Sequence, residues 1–459
     1  MTKSIKNVKY REVHRGVAKK KSKLIEDLSK MDYMTILSGG GNSSVFKHEP
    51  LIDYSYKTGI TIFDYVYGYE MNVFDDNENF IKKRTILGLQ AGSFNVITGR
   101  TQSFKTTIAC QICANIAYVN NGNIIHYDTE QRLVTQRVKT LTKLPESWFS
   151  GEYPRYNFRS GIIGFDTLKT EITELYENKI RNKAVLLKDT GEVDARNKPI
   201  YLMPPTVVLI DSLQNVIIKE YDVDTKDFDK TKELRSTTQG ARSAYTIRGL
   251  ITDILPMMKE ANIIVICIAH KTSNMSLNPF GGVKKQFQYG KSDERISGGS
   301  AVEFNASAVY DLAGIVSKDS RFHIDTDGFE GNTVLFEPTK SSTNESGNKD
   351  TGLGFNIIVD KRREGVDNVR TLIEFLKTKG RLKGNKAGYQ VLNEANEPIS
   401  GRFSWRNVYE DFKKDTDTYH TFMKVAKEEL EKLIAKAPTD TVGAIDPFDF
   451  DKILNTDVV

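Results

Sequence analysis

The chain has 459 residues, with 65 Lys and Arg against 60 Asp and Glu, a net charge of +5, and 39% hydrophobic residues. That length is ample for about two or three domains with buried cores, and three cysteines (Cys110, Cys113, Cys267) exclude a disulfide framework and point to a reducing, cytoplasmic compartment. No apolar run approaches the roughly 20 residues of a membrane helix, and the basic N-terminus lacks the apolar region of a signal peptide, so no membrane partner is expected.

Residues 1–53 read as a basic arm. Residues 1–23 hold nine Lys or Arg against one acid, Glu12. Lys20–Asp32 has a helical pattern with Leu24, Ile25 and Leu28 on one face, and Ser38–Ser44 is a Gly/Ser linker. Residues 54–342 alternate short Val/Ile-rich runs with amphipathic stretches. Strands are expected at Phe94–Thr98, Asn123–Tyr127, Thr206–Ile210, Ile263–Ala269, Val309–Ile315 and Thr333–Glu337. A helix is expected from Lys105 to Val119. Apolar runs of this kind suit a buried, mainly parallel sheet with helices on both faces. Residues 186–203 read as an inserted hairpin. Thr343–Gly354 is polar and Gly-rich, a hinge before a small α+β C-terminal domain (343–438) with helices near Val369–Lys379 and Thr418–Ala437. Residues 439–459 form an acidic tail; 440–459 carry five Asp against one Lys. Cys110 and Cys113 have the spacing of half a zinc site, but no second pair exists, and packed thiols are expected.

The strongest motif is Gly99-Arg100-Thr101-Gln102-Ser103-Phe104-Lys105-Thr106, with Thr107 behind it, between a strand and a helix. Free amides at a helix N-terminus hold phosphate oxygens, a lysine adds charge beside the β- and γ-phosphates, and a Thr hydroxyl completes a Mg²⁺ shell. These residues therefore point to a P-loop binding ATP with Mg²⁺. Phe104 departs from the pattern by standing where a second glycine belongs. Val207–Ser212 is an apolar strand ending in Asp211, which pairs with Thr106 as a candidate Mg²⁺ ligand. The next strand after the P-loop helix ends at Glu130, a candidate base for a water attacking the γ-phosphate. Asp128 is its rival two residues away, and His126 reads as a packed or surface histidine.

With these motifs in place, the chain resembles the RecA-type recombinases, most closely the phage UvsX-like branch, over roughly 55–342 and more weakly over 355–437. Lys57–Asp64 resembles the family's segment before the P-loop strand. Ser103-Phe104-Lys105 is similar to the UvsX-like P-loop, which also has Phe before Lys. Tyr127-Asp128-Thr129-Glu130 matches the strand bearing the family's catalytic Glu and favours Glu130 over Asp128. Ile263–His270 matches the strand whose last residue senses the γ-phosphate, with His270 in that place. Ile296–Ala301 resembles the segment closing the second DNA-binding loop, which makes Lys271–Ser297 that loop. Of the two lysines that in the family reach the neighbouring subunit's ATP, only Lys340 lines up, with Pro338 in the other place. Residues 71–88 and 150–205 look inserted.

The loop candidate also reads on its own residues. It carries Lys271, Lys284, Lys285, Lys291 and Arg295 among Phe280, Phe287 and Tyr289, cations that track a phosphate backbone and rings that stack on bases. A second segment, 230–242, with Arg235 and Arg242, reads as a loop before a helix over Tyr245–Lys259 and resembles the family's first DNA loop. The resemblance implies a RecA-like core and a DNA-dependent ATPase. It also implies a helical homo-oligomeric filament on single-stranded DNA, pairing with double-stranded DNA, and a single-strand-binding protein or mediator as a further partner. A ring-forming RecA-fold replicative helicase and a non-hydrolysing DNA-coating protein are the competing expectations.

Overall fold

Two strands are buried at every position, Phe94–Gly99 and Thr206–Asp211. Only a sheet covered on both faces gives that pattern, and it is why the sequence shows unbroken apolar runs there. The computed structural model describes residues 53–216, 232–273, 294–296, 300–314, 321–324, 329–343, 354–361 and 364–437. The arm helix Lys20–Asp32, the linker Ser38–Ser44, most of the hinge Thr343–Gly354 and the acidic tail lie outside them. Residues from Ile52 onward form one compact unit.

A two-residue strand Ser55–Tyr56, paired antiparallel with Leu89–Gln90, precedes a short helix α1 (Thr61–Val66) and a hairpin of Tyr69–Phe74 and Phe80–Ile86. The main elements follow as β1 (Phe94–Gly99), α2 (Lys105–Val119), β2 (Asn123–Asp128), α3 (Thr135–Thr142), β3 (Tyr156–Ser160) and α4 (Phe165–Arg181). The hairpin expected within 186–203 is present as Lys188–Val193 paired with Pro199–Leu202. Next come β4 (Thr206–Asp211), α5 (Lys232–Ala261), β5 (Ile263–Ser273), α6 (Ser300–Asn305), β6 (Ala308–Gly314), β7 (Phe329–Ser341), β8 (Phe355–Asp360) and β9 (Gly365–Val366). After them stand α7 (Asn368–Thr378), the hairpin Leu382–Asn385 and Gly388–Val391, α8 (Val408–Lys414) and α9 (Thr416–Glu431).

Nine strands of the main sheet stand in the order β9-β8-β7-β6-β1-β5-β4-β2-β3, with Glu294–Ile296 and Arg321–Ile324 pairing off that path on β5 and β7. The six from β6 to β3 run parallel, and β7, β8 and β9 add antiparallel pairs at one side. Side chains alternate between two apolar clusters, one on each face. Ile264, Ile266 and Ile268 of β5 join the cluster containing Ile108, Ile112 and Ile116 of α2. Ile263, Val265 and Cys267 join the one containing Leu168 of α4 and Ile251 and Ile254 of α5. Cys110 and Cys113 are buried on α2, packed as expected.

Two expectations are corrected. The domain boundary at 342/343 is not where the sheet ends. Phe355, Ile357 and Val359 alternate inward, and β8 and β9 complete the main sheet, so the polar hinge joins two strands of one layer. The later residues Leu372, Phe403 and Phe422 then share the α2-side core cluster. The segment 230–242, read as a loop, is helical from Lys232: it contains no proline and extends α5 by about three turns.

Candidate active site

β1 delivers the chain into the phosphate loop at Gly99, whose φ is +153°. A Cβ there would lie 2.2 Å from the Leu312 carbonyl of neighbouring β6, so no side chain fits. The loop turns with Gln102 and Phe104 in the left-handed region, at φ 65° and 60°. This accounts for the departure at Phe104: the position needs a conformation glycine adopts freely, and the phenyl ring packs against the α2-side core, offsetting a backbone cost of about 1–3 kcal/mol.

Lys105 opens α2 and is buried. Its Nζ donates to the Arg100 carbonyl at 2.6 Å and to Ser103 Oγ at 3.4 Å. Burial lowers its pKa to about 8, against the opposing charges of Asp211, Glu130 and Asp311. A polyanion in the loop would reverse that burial cost. The Thr106 hydroxyl donates to Asp211 Oδ2 at 2.7 Å. Burial pushes the Asp211 carboxyl up to about 6, opposed by this hydrogen bond and reinforced by Glu130 and Asp128.

Glu130 stands past the end of β2. The Ser212 hydroxyl donates to its Oε1 at 2.9 Å, His270 Nε2 lies 2.9 Å from the same oxygen, and Arg132 Nη1 lies 3.2 Å from Oε2. Partial burial acts to raise its pKa, but the hydrogen bonds from Ser212 and His270 and the nearby charges outweigh it and hold it below the usual range. The carboxylate is therefore ionised at neutral pH, as a base must be. Asp128 is spent on structure: its Oδ2 accepts from the Leu133 amide at 3.1 Å and from Ser160 Oγ at 3.0 Å. His126 is buried in the core, with Nδ1 2.9 Å from the Tyr156 hydroxyl.

His270 sits opposite Gly99 in the β1–β5 register, which sets it beside the start of the candidate phosphate loop. Its amide donates to Gln214 Oε1 at 3.3 Å. β5 then runs on to Ser273 and pairs antiparallel with Glu294–Ile296, Lys271 opposite Ile296 and Thr272 opposite Arg295. The expected DNA loop therefore begins and ends as a two-stranded ribbon rising from the sheet. Lys271 is nearly buried and ion-paired with Asp311, a placement unlike the open loop position expected of it. Phe280, Lys284, Lys285, Phe287, Tyr289 and Lys291 lie outside the described residues, and Arg235, Arg242 and Arg295 are placed by backbone only. Lys340 does not reach this cleft. It lies opposite Val309 on β6, and its Nζ donates to the carbonyls of Glu303 and Phe304 at the end of α6, at 2.9 and 2.6 Å.

A cleft of about 510 Å³ joins these groups. Thr101 to Thr107, Asp128, Glu130, Asp211 and His270 line one part. The remaining wall was not found from the sequence: Arg132, Leu133, Arg137 and Leu141 from the segment after Glu130, Asn332 from β7 and Lys361 after β8. Arg137 is ion-paired with Glu364. The run of cations directly after Glu130 is a signal that points to the first group. Asn332 and Lys361 arrive only through the antiparallel side of the sheet.

The donor set suits Mg²⁺. One hydroxyl and one carboxylate are already in contact, and Mg²⁺ takes one or two protein oxygens together with substrate phosphates and water. Among the described residues no group of three or more His, Cys, Asp or Glu could hold a metal by itself, so this ion would come with a phosphate ligand. No described helix is long and apolar enough to cross a membrane. No protein-family model matches the chain, and no curated protein matches it.

Proposed function

We propose that the protein is an ATP-hydrolysing recombinase with a RecA-like core, one that assembles as a helical filament on single-stranded DNA and pairs it with duplex. The observation that carries this reading is the His270 junction. One residue touches the candidate base Glu130, lies in register with Gly99 of the phosphate loop, and is followed at once by the ribbon that opens the basic, aromatic loop.

Each group in the cleft has a role on this reading. The loop amides and Lys105 bind the β- and γ-phosphates of ATP. Thr106 and Asp211 would hold Mg²⁺, which when bound neutralises phosphate charge. Glu130 accepts the proton of the attacking water, with Ser212 and Arg132 fixing its orientation. His270 exchanges its contact with Glu130 for one with the γ-phosphate, and that exchange biases the ribbon of β5 toward a DNA-binding arrangement, a γ-phosphate switch. Arg137, Leu133 and Leu141 form the wall left for the nucleoside. Open head-to-tail contacts between copies build the filament.

The test is ATP turnover with and without single-stranded DNA, for wild type, Lys105→Ala and Glu130→Gln, with electron micrographs of the same samples. DNA-stimulated turnover lost in both variants, together with open helical filaments, is the expected result. Closed rings with the same turnover would replace this reading by a helicase. DNA coating without turnover would make the chain a non-hydrolysing coat protein.

A further inference from the structure

We propose that the open edge of the hairpin Tyr69–Phe74/Phe80–Ile86 is a docking strip for the chain's own acidic tail, residues 438–459. The strand Phe80–Ile86 pairs only with Tyr69–Phe74 among the described strands. It begins with Phe80 and Ile81, 56% and 43% exposed, followed by exposed Lys82 and by Lys83, which is exposed and lies 3.7 Å from Glu70 Oε2 across the hairpin. An unpaired edge with apolar side chains is a template for another strand. The two lysines select which strand. A second copy of the same edge would set Lys against Lys, and the arm 1–23, with nine cations against Glu12, is repelled as well.

The tail has the complementary chemistry. Its stretch Ile445–Asp451 alternates acid and aromatic, placing Phe448 and Phe450 on one side of an extended strand and Asp449 and Asp451 on the other. Topology brings it to the right place. The last described residues lie against the other strand of this same hairpin: Ala435 bridges Tyr69 in parallel, the Glu70 amide donates to the Ala435 carbonyl at 2.8 Å, and Lys436 Nζ lies 2.8 Å from Glu70 Oε1. From Ala437 the tail runs 22 residues, enough to extend up to about 70 Å. Crossing the hairpin to its far edge needs only about 10 Å. The docked segment pairs its backbone with the Phe80–Ile86 edge, its carboxylates meet Lys82 and Lys83, and a phenyl ring covers Phe80 or Ile81.

The test is hydrogen exchange on the full chain, compared between wild type, the tail variant Phe448→Ser/Phe450→Ser, and the strip variant Lys82→Glu/Lys83→Glu. Amides of residues 80–86 are expected to exchange about tenfold slower in wild type than in either variant, with β1, β4 and β5 unchanged in all three. The tail substitutions leave residues 53–437 unchanged, so they keep the test valid even if the strip variant is destabilised. Equal exchange at 80–86 in wild type and the tail variant overturns the proposal. Protection that fades on a roughly twentyfold dilution assigns the strip to another copy's tail and overturns docking within one chain.

Discussion

The cleft separates two carboxylates that stand two residues apart, and their surroundings decide their work. Asp128 accepts from a backbone amide and from Ser160, holding the turn after β2 against β3. Glu130 is held by three side chains, Ser212, His270 and Arg132, and lines the cleft with the phosphate loop. On the proposed mechanism Glu130→Gln lowers turnover by about 10²–10⁴ while ATP still binds. Asp128→Asn mainly lowers the thermal midpoint. Turnover unchanged in Glu130→Gln would remove it as the base. A pH signature comes from Asp64 in α1, which accepts from the Thr58 amide at 2.7 Å and from its hydroxyl at 2.6 Å. Burial raises its pKa to about 6, against those hydrogen bonds. The folded pKa lies above the unfolded one, so the folded state binds more protons between about pH 4 and 6. The contribution to stability is complete below about pH 4 and is lost as the pH rises through 6, a loss of at most ~3 kcal/mol. Asp64→Asn keeps an acceptor for Thr58 without the charge. Its denaturant midpoint is expected to exceed wild type at pH 8 and to match it at pH 4; a gap independent of pH would refute the assignment.

At the scale of elements, α3 is where the cleft's second half is made. Arg137 occupies its first turn, with its guanidinium edge taken by Glu364 of the turn before β9. A guanidinium whose edge is engaged by a carboxylate is drawn away from phosphates and offers its flat face to a ring. Arg137→Ala is therefore expected to weaken ATP binding about tenfold and to leave binding of inorganic tripolyphosphate unchanged. Equal losses for both ligands would place Arg137 at the phosphates instead. This half of the cleft was the harder one to read in advance, for physical reasons. The phosphate loop and Asp211 end buried strands and Glu130 follows β2 by two residues, where an apolar run gives way to polar residues. Asn332 and Lys361 come from strands far along the chain, and the polar stretch 343–354 disguised the return of β8 to the sheet. The helix over 232–242 contains Ser236, Thr237, Thr238 and Gly240, whose weak helix preference is overridden by the apolar stripe of Ile247, Ile251 and Ile254 that anchors the rest of α5. The hairpin within 186–203 was read from the sequence and residues 71–88 only as an insertion, and the packing of the two hairpins on each other, through Arg84 with the Val193 carbonyl and Glu192, has no local signal.

At the scale of the whole molecule, the proposed filament makes Lys340 informative. It sits on β7 opposite Val309, which itself lies opposite Val96, three residues short of the Gly99 end where the phosphate loop begins. In its own subunit it closes the carbonyl end of α6 and is not part of the cleft wall. Burial lowers its pKa, with Glu303 opposing, so a nearby anion would favour its charged form. A head-to-tail assembly gives such a residue a second target, the cleft of the next copy. Complementation separates that role from simple support of α6. Glu130→Gln subunits keep Lys340, and Lys340→Ala subunits keep Glu130. Each alone is expected to be inactive in DNA-stimulated turnover. Mixed in equal amounts along a filament, about a quarter of the interfaces join an intact Glu130 cleft to an intact Lys340, and turnover should recover to about a quarter of wild type. If Lys340 only caps α6, the Lys340→Ala protein loses thermal stability, and every mixture shows the average of its two parents. The quarter-level recovery has no source within a single subunit, so it would establish at once that the copies assemble head to tail and that the cleft is completed across their interface.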